Sequence, residues 1–247
     1  MTTVSKLTES RGAWMMLGEP GLTARIAGAG FDWILLDQQH GAIGPDRLVG
    51  LARAHDHGAC ELAVRVPSAD PAAIGRALDV GASIVVVPLV QTADEARAIV
   101  AAANYPPVGG RSWGPLTPLW GAPTPDAASA KPRLWPMIET RTALDQLDEI
   151  LAVEGLDAVF IGPYDLSLAL GMTLAELLAD DRGPLATIVA ACRKAGVACG
   201  AFAGSPANAK RLAKFGFGHL AVTTDLGIID AGTAFVLPGW GAPRTLY

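Results

Sequence analysis

LAVRVPSADPAAIGRALDVGASIVVVPLVQTADEARAIVAAA, residues 62–103, contains one structural unit twice over. A β-branched run, LAVRVP (62–67), gives way to DPAAIGRALDVG (70–81), where apolar residues recur at helical spacing between an aspartate cap and a glycine stop. SIVVVPLV (83–90) repeats the strand, and TADEARAIVAAA (92–103), opened by a threonine, repeats the helix. Both strand runs are apolar throughout rather than alternating, which is expected when both faces of a sheet are covered.

The unit extends in both directions. Further strand runs are AWMMLG (13–18), WILLDQ (33–38), LWPMIE (134–139), AVFIGP (158–163), ACGAFA (198–203) and HLAVTT (219–224). Helical spacing recurs in PDRLVGLARAHDHG (45–58), TALDQLDEILAVEG (142–155), GPLATIVAACRKAG (183–196) and SPANAKRLAKFG (205–216). Strictly alternating strands and helices imply parallel strands joined by right-handed crossovers. Eight such units in 247 residues predict an α/β protein, a single-domain (β/α)8 TIM barrel spanning residues 1–247. The alternative is an open doubly wound sheet. It calls for a glycine-rich first turn, and GEPGLTARIAGAG (18–30) lacks GxGxxG.

Composition narrows the function classes. Hydrophobic residues make up 51% and charged ones 17%, ample for a large core. A net charge of −5 with scattered Lys and Arg argues against a nucleic-acid partner. Three cysteines, Cys60, Cys192 and Cys199, lack CxxC spacing and read as reduced core thiols of a cytoplasmic protein. MTTVSKLTESRGAW carries no apolar core of a signal peptide, and no run is long enough to span a membrane.

In a barrel, chemistry gathers at the C-terminal ends of the strands. Asp37 and His40 follow the second strand, Arg65 closes the third, and Gln91 follows the fourth. Glu139 closes the fifth, Asp165 follows the sixth, and Asp225 follows the eighth. The long connection at 104–132, rich in Pro, Gly and Trp and carrying Arg111, Trp113 and Trp120, reads as an active-site lid or an interface loop. Glu139 and Asp165 read either as ligands of a hard divalent ion or as partners in salt bridges, Glu139 with Arg141 for instance. No cluster of zinc-ligand type is present in the sequence pattern. His40, in a polar loop after a strand, suits a general base or a structural role, whereas His55 and His57 flank a helix end and read as exposed caps. A guanidinium in a buried strand needs an anion, so Arg65 is expected to meet a protein carboxylate or an acidic substrate. GPYDLS places backbone N–H groups beside Asp165, where a substrate carboxylate can bind.

These motifs, in this order, resemble a known family. GFDWILLDQQHG (30–41), the stretch 64–97, YPPVGGRSWG (105–114), MIETRTAL (137–144) and VEGLDAVFIGPYDLSLALG (153–171) are similar to the metal-dependent (class II) pyruvate aldolases of the 4-hydroxy-2-oxoheptanedioate aldolase (HpcH/HpaI) type. The resemblance implies reversible aldol cleavage of a 4-hydroxy-2-oxo acid to an aldehyde and pyruvate or a substituted pyruvate. It implies that Glu139 and Asp165 bind Mg²⁺ or Mn²⁺, with Co²⁺ also compatible. Arg65 would stabilise the enolate oxygen, and the backbone at Gly162, Pro163, Tyr164 and Asp165 would hold the substrate carboxylate. His40 would be the proton acceptor. Asp79, contributed by a neighbouring subunit, would raise its basicity, with Asp37 a second candidate. A homohexamer exchanging its C-terminal segments (226–247) is also implied.

Three positions depart from the family pattern. Met137 stands where a substrate-binding glutamine is usual, DQQH replaces DGEH, and GPYDLS replaces GPADLS. These changes point to a donor site reshaped by Met137 and Tyr164, and to hydroxypyruvate as a candidate donor. The rival readings are an acyl-CoA lyase of the malyl-CoA type and a non-catalytic barrel that binds 2-oxo acids.

Overall fold

The computed structural model describes residues 9–55 and 60–238. Along them run β1 (Ser10–Met15), α1 (Pro20–Ala27), β2 (Trp33–Asp37), α2 (Pro45–Ala54), β3 (Glu61–Arg65), α3 (Pro71–Asp79), β4 (Ile84–Val87), α4 (Ala93–Ala103), β5 (Arg133–Ile138), α5 (Arg141–Asp145), α6 (Leu147–Leu151), β6 (Ala158–Ile161), α7 (Pro163–Leu170), α8 (Leu174–Ala179), α9 (Pro184–Ala195), β7 (Ala198–Phe202), α10 (Pro206–Phe215), β8 (His219–Thr224) and α11 (Asp225–Val236). The strands pair in chain order, all parallel, and β8 returns to β1 to close the barrel. All eight expected strands form. The helix expected over 142–155 breaks at Gln146 into α5 and α6. The sequence reading did not anticipate α1, α7 and α8. All three are short, and α7 has no polar face to give a periodic signal.

Strand side chains alternate between two environments. Ile34, Leu36, Leu62, Val64, Leu134 and Ile138 point outward and pack beneath the helices. Trp33, Leu35, Ala63, Trp135, Met137 and Phe160 point inward and fill the barrel. Trp135 and Phe160 stack with centroids 5.7 Å apart, and Trp33 meets Trp135 edge-on at the same distance. Gly12 makes room for this plug, since a Cβ there would fall 2.2 Å from the Trp33 ring. The inward register also fixes the mouth. Continuing Trp33 and Leu35 by one step brings Asp37 inward, Ala63 leads to Arg65, and Trp135 and Met137 lead to Glu139.

At the opposite end of the barrel His219 stacks on Trp135 at 4.9 Å. Its Nδ1 lies 2.7 Å from Ser10 Oγ, which also accepts the Trp33 indole N–H. Burial, reinforced by the charge of Arg133 and opposed by Glu61, holds its pKa below 6.5. A depressed folded value means that His219 supports the fold above the unfolded value and withdraws that support as pH falls towards the folded one. The melting temperature is therefore expected to fall between pH 7.5 and pH 5.5, roughly one unit either side of the ordinary histidine value, and His219→Gln should flatten that decline. An equal decline in the variant would assign it elsewhere.

The 104–132 connection does not cover the mouth, contrary to the lid expectation. It joins the end of α4 to the start of β5, so it belongs to the N-terminal end of the barrel. There Gly110 N donates to Ala101 O, and Leu116 N donates to Asp79 O at the end of α3. Arg111 pairs with Asp79 at 2.7 Å and lies 4.6 Å over the Tyr105 ring. His55 also differs from expectation: it caps α2 yet is only 3% exposed, with Nε2 3.4 Å from Cys60 Sγ. His57 lies outside the described residues.

Candidate active site

The mouth is built from the last inward residues of β2, β3 and β5 and the start of α7. Asp37 is fully buried. Its carboxylate accepts Arg65 Nε at 2.8 Å and Nη2 at 2.6 Å, the Trp14 indole N–H at 3.1 Å, and the backbone N–H groups of Gln39 and His40 at 3.0 and 3.3 Å. Burial pushes its pKa up, but the Arg65 hydrogen bonds and charge, helped by Trp14 and Gln39, bring it below the ordinary 3.8. The anion that Arg65 requires is thus a protein carboxylate. Asp37 was expected as a second candidate partner for the histidine. Instead it holds the backbone of the turn bearing His40 and clamps one edge of the guanidinium. A buried carboxylate persists only with such a full set of donors.

The clamp leaves Nη1 as the free corner of Arg65. It points towards Met137 Sδ, 4.0 Å away, and the guanidinium carbon sits 4.9 Å over the Trp14 ring. Met137 in turn adjoins the two acids. A Cβ placed on Gly162 would lie 2.6 Å from Glu139 Oε2, 3.3 Å from Met137 Cε and 3.5 Å from Asp165 Oδ2. Glu139, Met137 and Asp165 therefore converge on one glycine, the N-cap of α7. Glu139 is 3% exposed, and its Oε1 accepts the Leu89 N–H at 2.7 Å. Burial raises its pKa, with the neighbouring Asp165 charge adding to the effect and the Leu89 N–H and Arg65 opposing it. Arg141 donates to the Leu170 carbonyl and does not pair with Glu139.

Among the described residues no three His, Cys, Asp or Glu side chains form a metal-sized cluster. The Glu139–Asp165 pair nonetheless suits a hard divalent ion. The carboxylates of Glu139 and Asp165 approach the same glycine, and a pair of this kind leaves coordination positions for water and substrate oxygens. Backbone N–H groups complete the site. Pro163 occupies the first turn of α7, whose early N–H groups have no partner within the helix and form the positive end of its dipole. Tyr164, 62% exposed, stands beside them.

Two expected residues stand apart. His40 is exposed at the mouth, and Asp79 lies at the far end of α3, near the opposite end of the same barrel. One chain does not bring them together. Gln91 and Asp225 are structural: Gln91 N donates to Glu95 in the α4 cap, and Asp225 accepts the N–H groups of Met16 and Leu17, tying β1 to β8. Sequence reasoning missed Trp14 and Leu89. An indole in a buried strand needs an acceptor, which was a usable signal for Trp14. Leu89 adopts φ 55°, a left-handed conformation that a leucine does not announce in sequence.

The sequence profile of the HpcH/HpaI aldolase/citrate lyase family matches residues 11–230. The chain is 39% identical over 194 residues to a 4-hydroxy-2-oxovalerate aldolase of Novosphingobium aromaticivorans, covering 75% of this chain and 74% of that one. It is 34% identical over 241 residues to a hydroxypyruvate/pyruvate aldolase of Roseovarius nubinhibens, covering 93% and 91%. Among solved structures it resembles an HpcH/HpaI aldolase/citrate lyase family protein from Burkholderia cenocepacia, with TM-score 0.83, 28% identity and 93% of each chain covered.

Proposed function

Because the chain belongs to the HpcH/HpaI aldolase/citrate lyase family, we propose that it catalyses reversible aldol cleavage of 4-hydroxy-2-oxo acids to an aldehyde and pyruvate, or a substituted pyruvate such as hydroxypyruvate. The observation that carries this reading is the convergence of Glu139, Asp165 and Met137 on Gly162, with the free corner of Arg65 beside them.

Glu139 and Asp165 would hold Mg²⁺ or Mn²⁺, with Co²⁺ also suited, and the bound ion would polarise the 2-oxo group so that the adjacent carbon loses a proton readily. The N-terminus of α7, from Gly162 through Pro163 and Tyr164 to Asp165, receives the substrate carboxylate. Arg65 Nη1 donates to the oxygen that gains charge as the carbon–carbon bond breaks. Asp37 and Trp14 hold that guanidinium in place beforehand, so little reorganisation accompanies the reaction. His40 accepts the proton of the 4-hydroxyl during cleavage and returns it during condensation. Met137 and Tyr164 line the donor side. They offer a thioether and a phenol ring where the family more often has an amide and a methyl group.

The chain works as an oligomer, a hexamer on the family pattern, in the cytoplasm. Asp79 of one subunit orients His40 of another, which accounts for their separation within one chain. The exposed apolar end of α11 supports assembly: Phe235 is 85% exposed and Val236 71%. No helix among the described residues is long and apolar enough to cross a membrane.

The direct test incubates the purified protein with pyruvate or hydroxypyruvate and a panel of aldehydes, with and without EDTA. Aldol products are expected, lost on chelation and restored by Mg²⁺ or Mn²⁺. Full activity after complete metal removal, or a Schiff base trapped by borohydride, would refute the mechanism. The shared site has its own test. His40→Ala and Asp79→Asn enzymes should each be nearly inactive, but mixing and reassembling them should restore about a quarter of wild-type activity, the statistical share of sites with both groups intact. No recovery from verified mixed oligomers would place both groups in one subunit's site.

A further inference from the structure

We propose, on the reading that the active site is shared between subunits, that Arg111 is a positioning residue of the aldol reaction. From the N-terminal end of the barrel it holds the Asp79 carboxylate towards the His40 of a neighbouring subunit. Asp79 is the last residue of α3. A carboxylate there meets the negative end of the helix dipole and needs a cation to hold it in place. Arg111 supplies one, its Nη2 donating to Asp79 Oδ1 at 2.7 Å. The same connection fastens the backbone, since Leu116 N donates at 2.7 Å to the Asp79 carbonyl, a group that the helix end leaves open. Gly114 passes so near that a Cβ on it would stand 3.4 Å from Asp79 Oδ2. Among the described residues Oδ2 accepts no hydrogen bond, and Asp79 lines a cavity of about 370 Å³ with Arg76, Arg111 and Ser112. One oxygen is held, and the other is left for a donor from outside the chain.

Arg111 is itself fixed. Its side chain is 7% exposed, its guanidinium lies over the Tyr105 ring, and Tyr105 lies 5.3 Å from the Trp113 ring. Arg111 N donates to Asn104 O, and with the bond from Gly110 N to Ala101 O this ties the connection to the end of α4. So close an approach requires Gly109, where a Cβ would fall 2.3 Å from Ala101 O. A buried guanidinium is costly, and a purely structural arginine offsets the cost by donating on several sides. Arg211 does so, to Leu178 O, Ala179 O and Asp181. Arg111 does not. Its Nε is buried without an acceptor, and Asp79 is the one hydrogen-bond partner of its side chain among the described residues. The arrangement orients a single carboxylate rather than knitting a loop together.

The experiment measures aldol formation by the full-length oligomer from pyruvate and the most active aldehyde of the panel, with Mn²⁺ present. Arg111→Ala should lower kcat by about 10-fold or more, part of the roughly 10²–10⁴-fold that a placed base contributes, with KM for pyruvate little changed. Arg111→Lys keeps a cation and should recover part of the loss. Mixed oligomers then locate the effect. Arg111→Ala and His40→Ala subunits together should regain about a quarter of the wild-type rate, because some sites combine an intact His40 with an intact Arg111–Asp79 pair. Arg111→Ala and Asp79→Asn subunits should gain nothing over the separate variants, because both lesions fall on the same side of every site. Wild-type kcat in Arg111→Ala, or recovery with Asp79→Asn instead of His40→Ala, would overturn the proposal and leave the shared site standing. Failure of His40→Ala and Asp79→Asn subunits to complement one another would overturn the shared site and the proposal with it. If Arg111→Ala does not assemble, Arg111→Gln, which keeps most of the volume without the charge, takes its place in the same mixtures.

Discussion

Arg65→Ala should lower kcat/KM by on the order of 10²–10³-fold, the usual loss when a preorganised donor to a developing oxyanion is removed. The same change should destabilise the fold by about 3–5 kcal/mol, because Asp37 is left as a buried charge without its partner. The two effects are separable. Replacing Asp37 and Arg65 together by apolar residues removes both charges and should recover much of the stability, while turnover stays low. Initial rates and urea unfolding of the two variants measure this. A double variant that recovered turnover along with stability would show that Arg65 only holds the mouth together. Acid titration supplies a further check with a defined sign. The folded pKa of Asp37 is depressed, so the stability it confers is complete above the ordinary carboxylate value of 3.8 and is lost as pH falls through the folded value. The variants lacking the pair should not show that loss.

Gly162→Ala should weaken divalent-metal binding by at least about 10-fold, the scale on which disturbed supporting groups act at metal sites. Gly162 has φ −92°, which alanine tolerates, so the expected effect is steric rather than conformational. The added methyl carbon would stand 2.6 Å from Glu139 Oε2, and this carboxylate cannot easily swing away because Leu89 N holds its other oxygen at 2.7 Å. Calorimetric titration with Mn²⁺, beside a thermal melt showing an intact fold, reads the effect. Unchanged affinity in a folded variant would mean that Glu139 and Asp165 do not share an ion.

Most of the site was legible in the chain because a barrel converts strand position into location. Once WILLD, ELAVR and RLWPMI are strands, alternation alone sends Asp37 and Arg65 to the inside of the mouth. The partners of these groups were not legible. Asp37 was expected near His40, yet its strongest bonds go to Arg65, a pairing set by the register Asp37↔Arg65 between β2 and β3. The 104–132 connection was misplaced for a simpler reason: a loop after a helix and before a strand belongs to the end opposite the mouth.

The sequence by itself determined the barrel, the family and the approach of Asp37, Arg65, Glu139 and Asp165 to the mouth. Hydrophobic period and capping are local signals, and eight repeats of them leave few topologies. Only the tertiary structure decided which groups meet. It joined Glu139 to Leu89 through a left-handed backbone, set Met137 between Arg65 and the acids, and kept Asp79 away from its own His40. Such contacts depend on inter-strand register and on side-chain packing in a dense interior, and both are properties of the closed barrel rather than of any segment.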